Sequence, residues 1–244
     1  MQGPRPVDSF LGMTSTKKVL VVRGGWDGHQ PIETSDSVIP FLTAQGFEVQ
    51  THDGPSIYAD RETMTSLDLI VQVVTMTTIE PDEVAGLVSA VESGCGFAGW
   101  HGGIADSYRA SAEYLQLVGG QFAHHAAKPP AERTGEQSDN YVRHRVSIRP
   151  DRREHPIVAG LDDFQLDTEQ YWVLSDAYND VLATTEIVHR DFDAWHRPFT
   201  VPVVWTREWG RGRVFVCTAG HRLEVLDDPS VRTIVERGLL WASR

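Results

Sequence analysis

The sequence predicts an α/β fold, a doubly wound and mostly parallel sheet with further β-strands added in the C-terminal half. Three observations carry that expectation. Between residues 18 and 119, short apolar runs alternate with segments of helical apolar spacing, the rhythm of βαβ units. One run, LDLIVQVV (67–74), is almost unbroken in its apolar character, as a parallel strand covered on both faces should be. From about residue 126 the alternation stops, and strand-like segments follow one another instead.

Taken in order, KKVLVVRGG (17–25) is a β-branched run ended by glycines and reads as the first strand. IETSDSVIPFLTAQG (32–46) has helical spacing with Gly46 as its stop, although Pro40 interrupts it. FEVQTHD (47–53) is a second strand, and the run at 67–74 a third. EPDEVAGLVSAVESG (80–94) is an amphipathic helix with acidic residues in its first turn, where the helix dipole favours them. GFAGW (96–100) is the next buried strand, and SAEYLQLVG (111–119) a helix behind it.

AAKPPAERTGEQSDN (126–140) has the composition of a long loop. YVRHRVSIRP (141–150) and FQLDTEQYWVL (164–174) read as strands, with EHPIVAGL (154–161) as a turn between them. PVVWTREWGRGRVFVCTAGH (202–221) reads as a hairpin turning at Gly210 and Gly212. The closing helix starts with Asp228 as N-cap and Pro229 at its first position. Neither repeat nor linker interrupts the chain, so residues 17–244 read as one domain. Residues 1–16, with proline, glycine and polar residues but no long apolar stretch, read as a flexible tail rather than a signal peptide.

The chain carries 34 acidic against 22 basic residues, a net charge of −12. That balance argues against nucleic acid and anionic membrane surfaces as partners. No apolar run approaches membrane-spanning length. The two cysteines, Cys95 and Cys217, lie inside apolar runs without C-x-x-C spacing and read as buried free thiols in a reducing cytoplasm.

Gly94, Gly96 and Gly99 match G-x-G-x-x-G, but a helix precedes the match and a strand runs through it, the reverse of the dinucleotide motif. A nucleotide cofactor is rejected. The same stretch has a better reading. A buried strand followed by G-W-H-G-G has the shape of a nucleophile elbow, with Gly99 and Gly103 flanking an apex at His101 where serine or cysteine would be expected. Four other segments are expected on the same edge of the sheet. RGGWDGHQ carries Trp26, Asp27 and His29; GGQFAHH carries His124 and His125; DTEQYW carries Glu169; and VFVCTAGH ends with His221.

In this order and spacing, GGWDGH, GFAGWHGG, GGQFAHH, EHPIVAGL, EQYW and PVVWTREWGRGRVFVCTAGH resemble the ThuA-like (trehalose utilisation) family, a branch of the class I glutamine amidotransferase-like superfamily. The resemblance runs from about Lys18 to Trp241. One departure is that His125 is followed by Ala126, where the family usually has His-Pro; the spacing from Phe122 favours His125 over His124 as the pocket residue. The resemblance implies a flavodoxin-like fold and a sugar or oxidised-sugar substrate. Thioester chemistry of the amidotransferase type would need a cysteine at the elbow, and His101 stands there.

Three chemistries suit these residues. A divalent metal such as zinc could be held by His29, His101, His125 and His221, with Glu169 as a further ligand. Alternatively, metal-free acid–base catalysis next to a sugar carbonyl could use His101, Glu169 and His221. The third reading is a non-catalytic carbohydrate-binding or regulatory module with a degenerate site. In each, Trp26, Asp27, Trp100, Tyr171 and Trp172 are the candidate sugar contacts. Elsewhere, Arg207 and Glu208 read as surface partners, and Trp205 and Trp209 as candidates for bordering a homo-oligomer contact.

Overall fold

The computed structural model describes residues 16–244, so the tail expectation falls outside the described residues except at Thr16. Ten strands form one mixed sheet: β1 (Lys17–Gly25), β2 (Phe47–Asp53), β3 (Leu69–Thr75), β4 (Gly96–Trp100), β5 (Gly120–Ala126), β6 (Tyr141–Ile148), β7 (Phe164–Ser175), β8 (Asp180–Ile187), β9 (Phe199–Trp209) and β10 (Gly212–Cys217). The helices are α1 (Pro31–Ala44), α2 (Arg61–Thr65), α3 (Pro81–Glu92), α4 (Gly102–Ala105), α5 (Ala112–Val118), α6 (Leu223–Leu226) and α7 (Pro229–Ala242). Among the described residues, no helix is long and apolar enough to cross a membrane.

The spatial order is β2-β1-β3-β4-β10-β9-β8-β6-β7-β5. The strands from β2 to β10 are parallel, and every pairing from β10 outward to β5 is antiparallel. The sheet is therefore parallel over half its width rather than mostly parallel. Period-two alternation splits the core accordingly. Val19 and Val21 of β1 pack with Val38 and Leu42 of α1 and Ile234 and Leu239 of α7. Leu20 and Val22 pack on the other side with Leu87 and Val91 of α3 and Leu117 of α5. All seven residues of β3 are buried, which accounts for its continuous apolar run.

Local signals act as expected at several element ends. Asp228 accepts hydrogen bonds from the backbone of Ser230 and Val231, and Pro229 opens α7. Gly210, at φ 60°, is the first central residue of the hairpin turn, while Gly212 already belongs to β10. In contrast to the reading of a break, α1 continues through Pro40.

Two strands escaped the sequence reading. β5 is the outer edge strand and mixes small and polar residues, and β8 lies where no strand was read. Two surface assignments are corrected as well. Trp205 is fully buried, donating its indole N–H to the Val118 carbonyl at 2.9 Å, so it borders no subunit contact. Arg207 is only 4% exposed; it reaches Asn179 and Asp176 and lies over the rings of Tyr178 and Trp209.

Candidate functional site

The chain leaves β4 through a strained residue. His101 has φ 48° and ψ −140°, a region that side-chain-bearing residues rarely occupy, at a cost of about 1–3 kcal/mol. Its N–H donates to the Cys217 carbonyl at 2.6 Å, and α4 begins at the next residue. The flanking glycines are required by contact. A β-carbon on Gly99 would lie 2.4 Å from the Gln72 carbonyl oxygen, and one on Gly103 2.7 Å from the Val73 α-carbon. Beneath the turn, the buried Gln72 amide donates to the Gly103 carbonyl and the Ser107 hydroxyl and accepts from Tyr58.

Strand ends and one strand interior bring four buried side chains together at this apex. His29 comes from the turn after β1 (Asp27–His29), His221 follows β10, and Glu169 projects from the middle of β7. One ligand atom from each of His29, His101, Glu169 and His221 lies within 4.8 Å of all the others. Glu169 Oε2 is 3.1 Å from His101 Nε2, 3.1 Å from His221 Nδ1 and 3.8 Å from His29 Nε2. His221 Nδ1 and His101 Nε2 are themselves 3.1 Å apart. Outer contacts orient the rings. His101 Nδ1 donates to the Thr218 carbonyl at 2.8 Å, and His29 Nδ1 lies 2.9 Å from the Thr75 hydroxyl.

Burial pushes His101 down to about 3 and His125 down to about 4, and lowers His29 as well, so all three imidazoles are neutral near pH 7. Burial by itself would raise the Glu169 carboxyl. Hydrogen bonding to the imidazoles around it, His221 Nδ1 at 3.1 Å among them, outweighs burial and holds the group ionised, below the usual carboxylate range. A neutral His101 is thus one proton short: Thr218 and Glu169 both offer it acceptors, and its single N–H is taken by Thr218.

The ThuA (trehalose utilisation) family profile matches residues 18–242, nearly the whole chain. This chain belongs to the ThuA family. Solved structures of similar fold include a ThuA-like protein of Parabacteroides merdae, 15% identical, covering 93% of this chain and 89% of that one with a TM-score of 0.68. A ThuA-like protein of Bacteroides uniformis is also 15% identical, covering 97% and 95% with a TM-score of 0.68. A cytoplasmic protein of Salmonella typhimurium is 13% identical, covering 93% and 100% with a TM-score of 0.62. A sequence comparison with curated proteins gives no significant match.

Of the residues singled out from the sequence, this ThuA-family chain brings His29, His101, Glu169 and His221 together and sets His125 beside them, its Nε2 3.8 Å from Glu169 Oε2. His125 Nδ1 is buried without a hydrogen-bond partner among the described residues. A register shift between Phe122 and His124 in the β5–β7 pairing turns His125, not His124, toward the cluster. His124 is exposed and meets Trp195 instead.

The aromatic candidates divide. Trp26 is 41% exposed, its ring 4.8 Å from His29, and Asp27 is exposed next to it. Trp100 is 1% exposed and packs in the core with Phe215, so it offers no platform to a sugar. Tyr171 is also buried, its ring 4.2 Å from that of His101, so it backs the histidine rather than lining an open pocket. Trp172 points away from Glu169 because β7 alternates, and it packs against Trp195 and Phe199. Residues overlooked in the sequence are Thr75, Thr218, Gln137 and Arg222. Thr75 was discoverable as the last residue of its strand and Thr218 as the residue just past the end of β10; Gln137 and Arg222 gave no local signal.

Both cysteines are buried, and burial pushes each thiol up to about 12, far from a nucleophile's range.

Proposed function

We propose that this ThuA-family protein is an enzyme acting on a sugar or oxidised-sugar metabolite, with a divalent metal such as zinc at the histidine cluster. The observation that carries the reading is the convergence of His29, His101, Glu169 and His221 within 4.8 Å at the apex of a strained turn. The donor set of imidazoles plus one carboxylate suits zinc and other first-row ions. His101 and Glu169 present acceptors to each other at 3.1 Å, and a cation between them would take the place of the missing proton. The hydrogen bonds to Thr218 and Thr75 turn Nε2 of His101 and His29 inward, the arrangement that metal-binding histidines use.

A metal bound there would polarise a substrate carbonyl or acidify a bound water. Within the chain itself, Glu169 holds negative charge in a buried place and His221 sits within hydrogen-bond distance of it, a pair suited to moving a proton next to a carbonyl. Trp26 and Asp27 would receive the sugar at the exposed rim. The parallel order β2-β1-β3-β4-β10 supports a flavodoxin-like, doubly wound core for this part of the chain. The acidic net charge and two buried thiols fit a cytoplasmic protein with a small-molecule partner.

The test is elemental analysis of the purified protein, followed by turnover of oxidised disaccharides by wild type and His101→Ala. Bound zinc or a similar ion in the wild type, lost together with turnover in the variant, is expected. Absence of metal together with unchanged turnover in His101→Ala refutes the reading.

A further inference from the structure

Arginine has five donors and no acceptor, and that orients a chain of three residues across the cluster. Arg222 directly follows His221, and its Nη2 lies 2.7 Å from one end of the Gln137 side-chain amide, which must be the oxygen. The other end is then the NH2 group, 2.8 Å from His221 Nε2. An amide NH2 only donates, so this ring nitrogen accepts and bears no proton. The proton of a neutral His221 is left on Nδ1. That atom is 3.1 Å from Glu169 Oε2 and 3.1 Å from His101 Nε2, both acceptors because His101 has already given its N–H to Thr218.

We propose that Gln137, oriented by Arg222, is a positioning residue that fixes His221 as the N–H donor of the cluster. His221 is thereby set apart from His101, whose inward Nε2 carries a lone pair because its N–H is given to the Thr218 carbonyl. For His221 Nδ1 to serve as a ligand, its proton would have to move to Nε2, where the Gln137 N–H already points. The clamp reaches further: Arg222 Nε donates to the Gly28 carbonyl beside His29 at 3.3 Å, and Leu223 N–H donates to Gln30 Oε1 at 3.0 Å. One short segment thus ties the turn bearing His29, the turn bearing His221 and the loop before β6 into one register. Where it concerns the ligand set, this inference rests on the proposed metal site; the tautomer itself does not.

The test uses full-length, metal-free protein labelled with 15N-histidine. Two-bond 1H–15N spectra report which ring nitrogen is protonated, with the His221 signals assigned by their loss in His221→Ala. The wild type is expected to carry the His221 proton on Nδ1. In Gln137→Glu the carboxylate can only accept, from Arg222 and His221 alike, so the proton is expected to switch to Nε2. A wild-type proton on Nε2, or an unchanged tautomer in folded Gln137→Glu, overturns the proposal. Zinc titration adds a second arm. His221→Ala should lose about 10- to 100-fold in affinity, the scale of an orienting residue, and His101→Ala clearly more than that. Equal losses overturn the inference and leave the metal reading intact. A wild type that binds no zinc overturns the metal reading alone, and the tautomer then decides the inference.

Discussion

Gly102→Ala would displace one imidazole of the cluster without deleting a polar group. A β-carbon at residue 102 would lie 2.3 Å from His29 Cε1, 2.6 Å from its Nδ1 and 3.1 Å from Thr75 Cγ2. Carbon atoms in contact settle at about 3.5–4.0 Å, so the ring must retreat by roughly 1 Å or more, or the turn must shift by as much. His29 has little room to comply, because its Nδ1 meets Thr75 at 2.9 Å and its ring meets the edge of Trp26. Overpacking of this kind costs about 1–3 kcal/mol of stability. A misplacement of about 1 Å costs on the order of 100-fold in rate.

The expected outcome for Gly102→Ala is therefore a loss of about 100-fold in turnover, with weakened zinc binding by calorimetry and a modest drop in the urea midpoint. A matched control separates geometry from stability. A β-carbon on Gly212 would lie 2.3 Å from the Val91 carbonyl oxygen and 2.6 Å from that of Cys95, at the start of β10 and away from the cluster. Gly212→Ala should lose comparable stability while keeping zinc affinity and turnover. Wild-type affinity and turnover in Gly102→Ala, or equal losses in the control, would show that the closeness of Gly102 to His29 does not set the site.

At residue 101 itself the usual order of alanine over glycine should invert. With φ at 48°, His101→Gly should be about 1–3 kcal/mol more stable than His101→Ala in urea unfolding, and equal stabilities would remove the strain argument. Acid should weaken the metal-free protein. His101 and His125 have folded values of about 3 and about 4 against 6.5, so below pH 6.5 the unfolded chain binds more protons and stability falls with pH. At pH 5 each contributes about 2 kcal/mol of loss, and a urea midpoint unchanged between pH 7 and pH 5 would contradict this. With thiols pushed up to about 12, Cys95 and Cys217 should resist alkylation in the native protein and react only on unfolding. Rapid native labelling, read by mass spectrometry, would refute their burial.

The parallel half of the sheet and the inner ring of the site were legible for the same reason. A buried parallel strand must stop at its carboxyl end, and the residues just beyond it are forced to that edge; this delivers His29, His101 and His221 from three separate strands. Glu169 was expected at the same edge, yet it reaches the cluster from inside an antiparallel strand rather than from beyond a strand end. The outer ring obeys different physics. Trp26 and Trp100 look alike in sequence, but β4 is covered on both faces and offers no open side, whereas Trp26 lies past the end of its strand. Trp172 was lost to period two, and His125 faces inward only because the pairing slips by one residue near Ala123, an event invisible until β7 is laid beside β5. Gln137 is the extreme case. Its amide gains meaning only when the end of β10 brings Arg222 and His221 to it, across 85 and 84 residues of chain. Sequence pattern therefore reaches the residues that strand ends must deliver, and the residues that orient their protons become legible only in the closed structure.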